Sequence, residues 1–146
     1  MSGGLVLRLR PREKFLVNGV LMENGERRAK LRVASDNANI LRFRDAMHPD
    51  DANTPTKRLY YIAQLAVAGE ADAEETKKEL LKGLKELRTA FGDHICNEDI
   101  DAAIEDAGRS RFYHVMRALY RVIPYEATLL MVANVNEMNT GKTQQQ

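Results

Sequence analysis

Apolar and basic side chains alternate in short runs along the first third of the chain. In Leu7-Arg8-Leu9-Arg10 and in Ala29-Lys30-Leu31-Arg32-Val33, every second residue is basic. Successive side chains of a β-strand point to opposite faces, so each run predicts a strand with an apolar inner face and a basic outer face. Asn18-Gly19 and Asn24-Gly25 separate the runs, and Asn-Gly tolerates the positive φ of tight hairpin turns. The pattern predicts an antiparallel β-meander of four or five strands.

From Thr54 onward the apolar residues recur every three to four positions, which is typical of amphipathic helices. Thr is a good N-cap and Pro loses no hydrogen bond at the first helical position, so Thr54-Pro55 predicts a helix start. Glycine and proline predict the helix ends. Four helices are expected: from Pro55 to Gly69, from near Asp72 through Phe91, from Asn97 to Gly108, and from about Arg109 to Ile123, where Pro124 closes the last one.

These elements together predict an α+β fold. A basic antiparallel β region is expected over residues 1–47, and a helical region over residues 48–130 is expected to pack on or beside it. Residues 131–146 are rich in Asn, Thr and Gln, which predicts a disordered tail. A chain of 146 residues with 44% hydrophobic content has enough apolar material for one modest core.

Charge is segregated along the chain although its net value is only +1. Residues 1–47 hold ten Lys and Arg against five Asp and Glu, residues 48–108 hold seven against fourteen, and residues 109–146 hold five against two. The molecule is therefore expected to be dipolar, with a basic sheet, an acidic helical middle and a basic last helix. Two partners of opposite charge are plausible for such a molecule.

The outward rows of the predicted sheet contain no Asp or Glu, whereas an ordinary soluble surface mixes both signs. In Leu41-Arg42-Phe43-Arg44 the two apolar residues are expected inside and the two arginines outside. We predict that the outward cations hold RNA phosphates; the alternative is a solvated strand face that binds nothing. The candidate RNA-binding residues are Arg8, Arg10, Arg28, Lys30, Arg32, Arg42 and Arg44.

No constellation of catalytic or metal-binding residues stands out. His48-Pro49-Asp50-Asp51 offers an imidazole and carboxylates, but Asp followed by Asp in a loop before a helix serves capping more often than metal binding. His94-Ile95-Cys96 has no second pair of ligands to complete a tetrahedral site. The sequence contains no P-loop, GxGxxG, HExxH or nucleophile-elbow pattern. We expect a protein that is not an enzyme, with no cofactor and no metal.

The sequence also indicates the cellular compartment in which the protein acts. It has no run of the roughly 18 to 20 apolar residues that cross a bilayer, and its start lacks the apolar core of a signal peptide. The single cysteine, Cys96, cannot form an internal disulfide, which agrees with a reducing compartment. We expect a cytoplasmic protein that does not contact a membrane.

Several stretches have a specific order of residues. They are Leu7-Arg8-Leu9-Arg10-Pro11-Arg12-Glu13-Lys14-Phe15-Leu16-Val17-Asn18-Gly19, Glu23-Asn24-Gly25-Glu26-Arg27-Arg28-Ala29, Ala38-Asn39-Ile40-Leu41-Arg42, Asp45-Ala46-Met47-His48-Pro49-Asp50 and Asn53-Thr54-Pro55, followed by Tyr113, Ala118-Leu119, Arg121, Ile123 and Tyr125-Glu126. This order resembles the FlbT family, the regulators of flagellin synthesis in alphaproteobacteria. Two features depart from the family. Arg12 stands where many members have Gly, and residues 97–107 match only loosely.

The resemblance implies post-transcriptional control. Members of the family act on the 5′ leader of flagellin messenger RNA, usually lowering its stability or translation, with activation in some lineages. They work alongside a small flagellar partner, FlaF, and have no cofactor and no known catalytic residue. The resemblance therefore predicts a regulator that binds the flagellin mRNA 5′ leader, usually as a repressor.

A protein partner is expected on the helical part of the chain. Carboxylates repel RNA phosphates, and aromatic and Arg side chains are frequent anchors of protein interfaces. The candidate partner-binding residues are Asp101, Glu105, Asp106, Tyr113 and Arg117. A FlaF-like regulator is the expected partner, and uncovered strand edges leave a homodimer open. The alternative function is a protein adaptor or chaperone-like interaction module of flagellum assembly that does not bind RNA.

Overall fold

The computed structural model of the protein describes residues 5–35 and 38–144, with side-chain surroundings up to residue 138. Five β-strands come first, and two 3₁₀ turns and four α-helices follow. The strands are β1 Leu5–Leu9, β2 Lys14–Val17, β3 Val20–Glu23, β4 Ala29–Val33 and β5 Ile40–Arg42. The helices are α1 Pro55–Val67, α2 Ala73–Phe91, α3 Asn97–Gly108 and α4 Phe112–Gln144. The predicted α+β fold is confirmed.

The strands form two antiparallel sheets. One contains β1 and β4, and the other has the order β3-β2-β5, so only β2 and β3 pair as neighbours along the chain. In the first sheet Arg8 lies opposite Lys30 and Val6 lies opposite Arg32. Residues directly opposite in an antiparallel pair share a face, so these three cations extend from the same side of the sheet.

Of the two Asn-Gly hairpin turns that the sequence predicts, only Asn18-Gly19 joins paired strands, since the strands on either side of Asn24-Gly25, β3 and β4, lie in different sheets. Asn18 and Gly19 join β2 to β3 with φ of 50° and 81°, the positive values that a two-residue hairpin turn of this kind needs. In the turn after Pro11, the amide of Glu13 donates to the carbonyl of Arg10 at 3.1 Å. Arg12 has φ of 63°, in the region that glycine occupies most readily. The turn therefore forms although arginine occupies a position whose positive φ glycine adopts more readily.

The first two helices begin where the sequence predicts, each with a side-chain cap. The hydroxyl of Thr54 accepts a hydrogen bond from the amide of Lys57 at 3.2 Å, and the carboxylate of Asp72 accepts from the amide of Glu75 at 2.9 Å. Each cap satisfies an amide that has no partner within the helix. None of the helices among the described residues is long and apolar enough to cross a membrane.

The last helix is longer than the sequence predicts. The expected end at Pro124 is wrong, because α4 continues from Phe112 through Pro124 to Gln144. Residues 131–144, expected to be a disordered tail, are helical, while residues 145–146 lie outside the described part. Proline within a helix removes one hydrogen bond. Here Glu126, two residues further on, is buried and accepts the amide of Thr56 at 2.8 Å, which fixes the chain beyond the proline.

Two apolar clusters hold the fold together. The helical cluster packs α1 to α4 around fully buried residues such as Leu84, Ile100 and Leu119. A smaller cluster under the sheets contains Leu7, Leu9, Phe15 and Ile40, together with Tyr113 from the start of α4. Strand β5 lies between the two, since Ile40 belongs to the sheet cluster and its neighbour Leu41 belongs to the helical one. The strands and helices are therefore packed directly against each other.

Candidate nucleic-acid interface

A groove of about 580 Å³ lies at the end of the β1–β4 sheet where Leu9 pairs with Ala29. Its lining residues come from β1, β4, the segments beside them and the 3₁₀ turn after β5, and no described acidic residue is among them. They are Arg8, Leu9, Arg10, Arg28, Ala29, Lys30 and Arg44. We call this surface the basic groove. Five of the seven arginine and lysine residues predicted from the sequence therefore meet at one place.

The cations of the basic groove are available to a ligand. Arg8, Arg10, Arg28, Lys30 and Arg44 are all exposed. Among residues 5–35 and 38–138 none of them forms a salt bridge. Like charges held close together repel each other, and a polyanion relieves that repulsion.

Arg32 extends the same face beyond the groove. It lies on β4 two residues after Lys30, opposite Val6 of β1, and is exposed without a salt bridge among the described residues. Its position continues the row of cations toward the end of the sheet where β1 begins. The predicted outward orientation is thus confirmed for six of the seven candidates, while their contact with RNA remains a prediction.

The expected outward orientation of Arg42 is wrong. Its side chain is 7% exposed, and it donates from Nε and Nη2 to the two carboxylate oxygens of Glu13 at 2.5 and 2.7 Å. Nη2 also donates to the carbonyl of Arg8 at 2.6 Å. The reason is that β5 lies between the two apolar clusters and is covered on both faces, so alternation along this strand does not separate inside from outside.

Phe43 departs from its expected place for a related reason. It is 50% exposed instead of inward, because β5 ends at Arg42 and the chain enters a 3₁₀ turn over Phe43–Asp45. The turn changes the period of the side chains and points Arg44 into the basic groove.

Glu13 is the buried partner that the sequence did not reveal. The hydrogen bonds from Arg42, with a further bond from the amide of Arg10, lower the pKa of Glu13 from its ordinary 4.5 to about 2. A bidentate pair of this kind is strong and directional. It satisfies Arg42 inside the protein, so Arg42 supports the sheets and is not available to phosphate.

The asparagines of the turns also have internal roles. Nδ2 of Asn24 donates to the carbonyls of Arg10 and Arg27 at 2.8 and 2.9 Å, and Oδ1 of Asn18 accepts the amide of Asn39 at 2.8 Å. These bonds hold the connections between strands, and they engage the side-chain amides of Asn18 and Asn24 inside the protein.

The residues predicted to bind a protein partner divide into two places. On α3, Asp101 accepts from Arg88 at 2.9 Å and Glu105 pairs with Arg109 at 3.1 Å. Asp106 lies 3.9 Å from Arg111. Each acid is thus already next to an arginine of the same chain, which weakens the negative electrostatic potential of α3. Partner binding by these three residues stays a prediction.

Tyr113 and Arg117 belong to a different part of the surface. They line a cleft of about 540 Å³ between β5, α1 and α4. The cleft also contains Tyr60, Tyr120, Arg121, Arg44 and Asp45, and we call it the tyrosine cleft. Tyr113 is buried, and its hydroxyl is 3.3 Å from Nη1 of Arg117, which donates to it. Sequence periodicity could not bring Tyr60 of α1 to this site, because it is 53 positions away from Tyr113 along the chain.

The two histidine motifs serve local structure. Nδ1 of His48 accepts the amide of Asp50 at 3.1 Å, and Nδ1 of His94 accepts the amide of Cys96 at 3.1 Å. Both bonds cap turns, and in the first motif the capping side chain is that of His48 instead of the aspartates for which capping was expected. Among the described residues no group of three or more His, Cys, Asp or Glu is placed to hold a metal ion.

Fold and site together define a small α+β protein with a cationic groove suited to a polyanion. Residues 5–130 match the family model described as Flagellar protein FlbT. Flagellum biosynthesis repressor protein FlbT of Caulobacter vibrioides is 30% identical over 122 residues, which cover 84% of this chain and 86% of that protein. The chain belongs to the FlbT family.

Other relatives have similar names. Probable flagellum biosynthesis repressor protein FlbT of Caulobacter sp. strain K31 is 32% identical over 122 residues, covering 84% of this chain and 92% of the relative. A Bradyrhizobium diazoefficiens protein with the name probable flagellum biosynthesis repressor protein FlbT 1 is 29% identical over 113 residues, covering 70% of this chain and 77% of the relative. No solved structure matches the chain. The names support a regulatory role and agree with a protein that is not an enzyme.

Proposed function

We propose that this protein represses flagellin expression by binding the 5′ leader of flagellin mRNA in the basic groove. The observation that carries the proposal is the convergence of Arg8, Arg10, Arg28, Lys30 and Arg44 on one groove that no described acidic residue lines. The names of the relatives supply the regulatory direction. Binding to the leader would lower the stability or translation of the message, and a cellular nuclease would carry out degradation. The proposal implies that the protein acts in the cytoplasm.

The chemistry of the groove fits a phosphate backbone. Arginine and lysine neutralise phosphates and release the counterions that surround the nucleic acid, so the logarithm of the affinity falls linearly with the logarithm of the salt concentration. Each phosphate contact on a single strand contributes about 0.7 to that slope. Contacts of this type supply affinity but little sequence information.

The test is a salt titration with purified protein and a transcript of the flagellin leader. We compare the wild type with Arg28→Gln/Lys30→Gln/Arg32→Gln, whose three positions are exposed on or beside β4. The matched control is Lys78→Gln/Lys82→Gln/Lys85→Gln, with three exposed lysines of α2. Both variants remove three positive charges, so they have the same net charge.

We expect the β4 variant to lose affinity at moderate salt and to reduce the salt slope by about 2, since three phosphate contacts are removed at about 0.7 each. The α2 control keeps the wild-type slope. Equal losses in both variants would show that only net charge matters and would refute binding in the basic groove. Absence of any leader binding by the wild type would refute the proposal as a whole.

A second candidate function, the protein adaptor or chaperone-like module, is favoured by the end of α4. Every residue from Ala127 to Met138 is exposed. The large apolar side chains in this segment are Leu129, Leu130, Met131, Val132, Val135 and Met138. Exposed apolar residues that are contiguous in this way mark protein interaction sites. We call this segment the α4 extension and propose it as the contact for a FlaF-like regulator.

The two candidate functions predict different effects of substitutions in the α4 extension. A pure adaptor loses its partner when Leu130→Gln/Met131→Gln is introduced and never binds the leader. An RNA-binding repressor keeps its leader affinity in the same variant. Measuring partner recovery and leader affinity on one preparation therefore separates the two functions, and loss of leader binding alone would contradict both assignments.

Self-association is a further part of the proposal. Strand β3 is an edge of its sheet, and Val20, Leu21 and Met22 are 59%, 58% and 43% exposed. Unpaired edges of this kind pair readily with another strand. Light scattering over a range of concentrations tests for a dimer, which Leu21→Lys should weaken if the pairing uses β3.

A further inference from the structure

The tyrosine cleft adjoins the basic groove. Arg44 lines both of them, so one side chain forms part of the wall between the two. The cleft has a volume of about 540 Å³, which lies within the roughly 300 to 1,000 Å³ typical of ligand pockets. Its described lining contains four arginines, three tyrosines and one acid, Asp45.

We propose that the tyrosine cleft takes unpaired bases of the RNA strand whose phosphates occupy the basic groove. The inference rests on the proposed function and specifies its ligand as single-stranded RNA. Proteins that bind single strands combine a cationic track for the backbone with aromatic side chains on which bases stack. The basic groove and the tyrosine cleft supply these two parts side by side.

Tyr120 is the stacking platform. It is 66% exposed, the most exposed of the cleft tyrosines, and its ring lies on the solvent side of α4. Tyr60 and Tyr113 are buried and form the floor. The hydroxyl of Tyr60 donates to the carbonyl of Asp45 at 2.6 Å, which fixes the turn that carries Arg44. A base on Tyr120 would therefore rest beside a rigid wall.

Two arginines of α4 complete the cleft. Arg117 is exposed and donates to the hydroxyl of Tyr113 at 3.3 Å, which holds its planar group over the cleft. A guanidinium group stacks on a base or donates to its edge. Arg121 donates from Nε to Asp99 at 2.8 Å, so its direction is fixed from outside the cleft. Arg117 is the better candidate for direct contact with a base.

The composition of the cleft favours RNA over a protein side chain as its occupant. Arg44 and Arg117, which form no described salt bridge, attract an anionic strand, and Asp45 is the sole carboxylate among the described lining residues. The cleft also continues into a groove whose cations have no described salt bridge, which a peptide would have to match with five or more acids. A single strand of RNA supplies both regularly spaced phosphates and flat bases.

The test uses a twelve-nucleotide oligouridine and an RNA duplex of the same length per strand, with affinities from fluorescence anisotropy. The variants are Tyr120→Ala and Tyr120→Phe. The control is Tyr125→Ala, an exposed tyrosine on the same helix that does not line the cleft. Circular dichroism melting confirms that all variants remain folded.

We expect Tyr120→Ala to weaken single-strand binding by about 5- to 150-fold, the range that loss of one stacked base produces. The salt slope stays the same because no phosphate contact is lost. Duplex affinity does not change, Tyr120→Phe restores single-strand binding, and Tyr125→Ala behaves as wild type. A 2-aminopurine placed in the oligonucleotide is quenched on binding to the wild type and not to Tyr120→Ala.

The outcomes distinguish failure of this inference from failure of the proposed function. If the β4 glutamine variant weakens RNA binding but Tyr120→Ala does not, the cleft does not hold bases and the proposed function stands. If Tyr120→Ala weakens duplex and single strand equally, the inference is also wrong. If it leaves RNA affinity unchanged and abolishes binding of a purified protein partner, the cleft is a protein site. If no RNA binds to the wild type, both the proposed function and the inference fail.

Discussion

Arg42 and Glu13 form a buried bidentate ion pair in which Nε and Nη2 of the guanidinium reach both carboxylate oxygens, at 2.5 and 2.7 Å. Arg42 ends β5 in one sheet, and its third hydrogen bond goes to the carbonyl of Arg8 in β1 of the other. The pair is therefore a polar connection between the two sheets. The carboxylate of Glu13 also lies near two residues of the basic groove, because it accepts the amide of Arg10 and its pKa is lowered in part by the charge of Arg44.

The first prediction concerns the removal of this charge. Glu13→Gln leaves Arg42 charged and 7% exposed without its carboxylate, which should lower the free energy of unfolding by about 3 to 5 kcal/mol. Urea denaturation followed by circular dichroism measures the loss. In Glu13→Gln/Arg42→Met the uncompensated charge is gone, so the double variant should be less destabilised than the sum of the single ones. Additive losses would show that the pair is not coupled.

The second prediction concerns pH. The pKa of Glu13 is about 2 in the folded protein and 4.5 when unperturbed. A lowered folded pKa gives stability that is present above pH 4.5 and is lost as the pH falls toward 2, and this amounts to about 3 kcal/mol at roughly 1.4 kcal/mol per pKa unit. The midpoint of urea unfolding should fall over this window. Glu13→Gln should show a shallower fall, and an identical pH profile would contradict the assignment.

The third prediction concerns Glu126 and the proline in α4. The buried carboxylate of Glu126 accepts a hydrogen bond from the amide of Thr56 at 2.8 Å, at the positive end of the α1 dipole. Glu126→Ala should cost about 1 to 3 kcal/mol, because the amide of Thr56 loses its partner. Hydrogen exchange should also rise in residues 127–138, all of which are exposed. Glu126→Gln retains an acceptor and is the control, and unchanged exchange in the alanine variant would show that α4 continues without this contact.

The fourth prediction separates exposed cations from the buried one. Arg28→Glu/Lys30→Glu/Arg32→Glu should abolish leader binding while the helical circular dichroism signal and the cooperativity of melting remain, since all three residues are exposed. Arg42→Glu should instead unfold the protein, because it places two carboxylates together inside it. Normal leader affinity in the triple variant would refute the role of the basic face.

The fifth prediction compares two sites for a protein partner. Replacing Asp101, Glu105 and Asp106 with amides removes three charges that lie next to Arg88, Arg109 and Arg111. The fold should survive with a loss of about 1 kcal/mol or less for each of the two exposed pairs. The Asp106–Arg111 pair is half-buried, but its atoms are 3.9 Å apart, so its loss should also be small. If the α4 extension holds the partner, pull-down of a FlaF-like protein should persist in this variant and fall in Leu130→Gln/Met131→Gln. The reverse outcome would assign the partner to α3.

Several features of this protein were determined by local sequence. Alternation over Leu7-Arg8-Leu9-Arg10 predicted a strand with outward bases, because a strand with one covered face separates its side chains by period alone. The same alternation predicted strand β4, but its expected inner residue Leu31 is 40% exposed, so β4 has no fully covered face. Asn18-Gly19 predicted its hairpin, and Thr54-Pro55 and Asp72 predicted helix starts, since turns and caps depend on a few neighbouring residues. The resemblance in the order of residues led to the correct family.

Tertiary structure decided the remainder. Arg42 followed the same alternating pattern as Arg8, but burial of β5 between two apolar clusters turned it into a structural ion pair with Glu13. Pro124 carries the usual signal of a helix end, yet Glu126 reaches Thr56, 70 residues earlier, and the helix continues. The tyrosine cleft likewise joins α1, β5 and α4. These outcomes depend on contacts between segments that are distant along the chain. The free energy of such contacts outweighs the local preferences of a short stretch for helix or strand, so the stretch alone does not predict them.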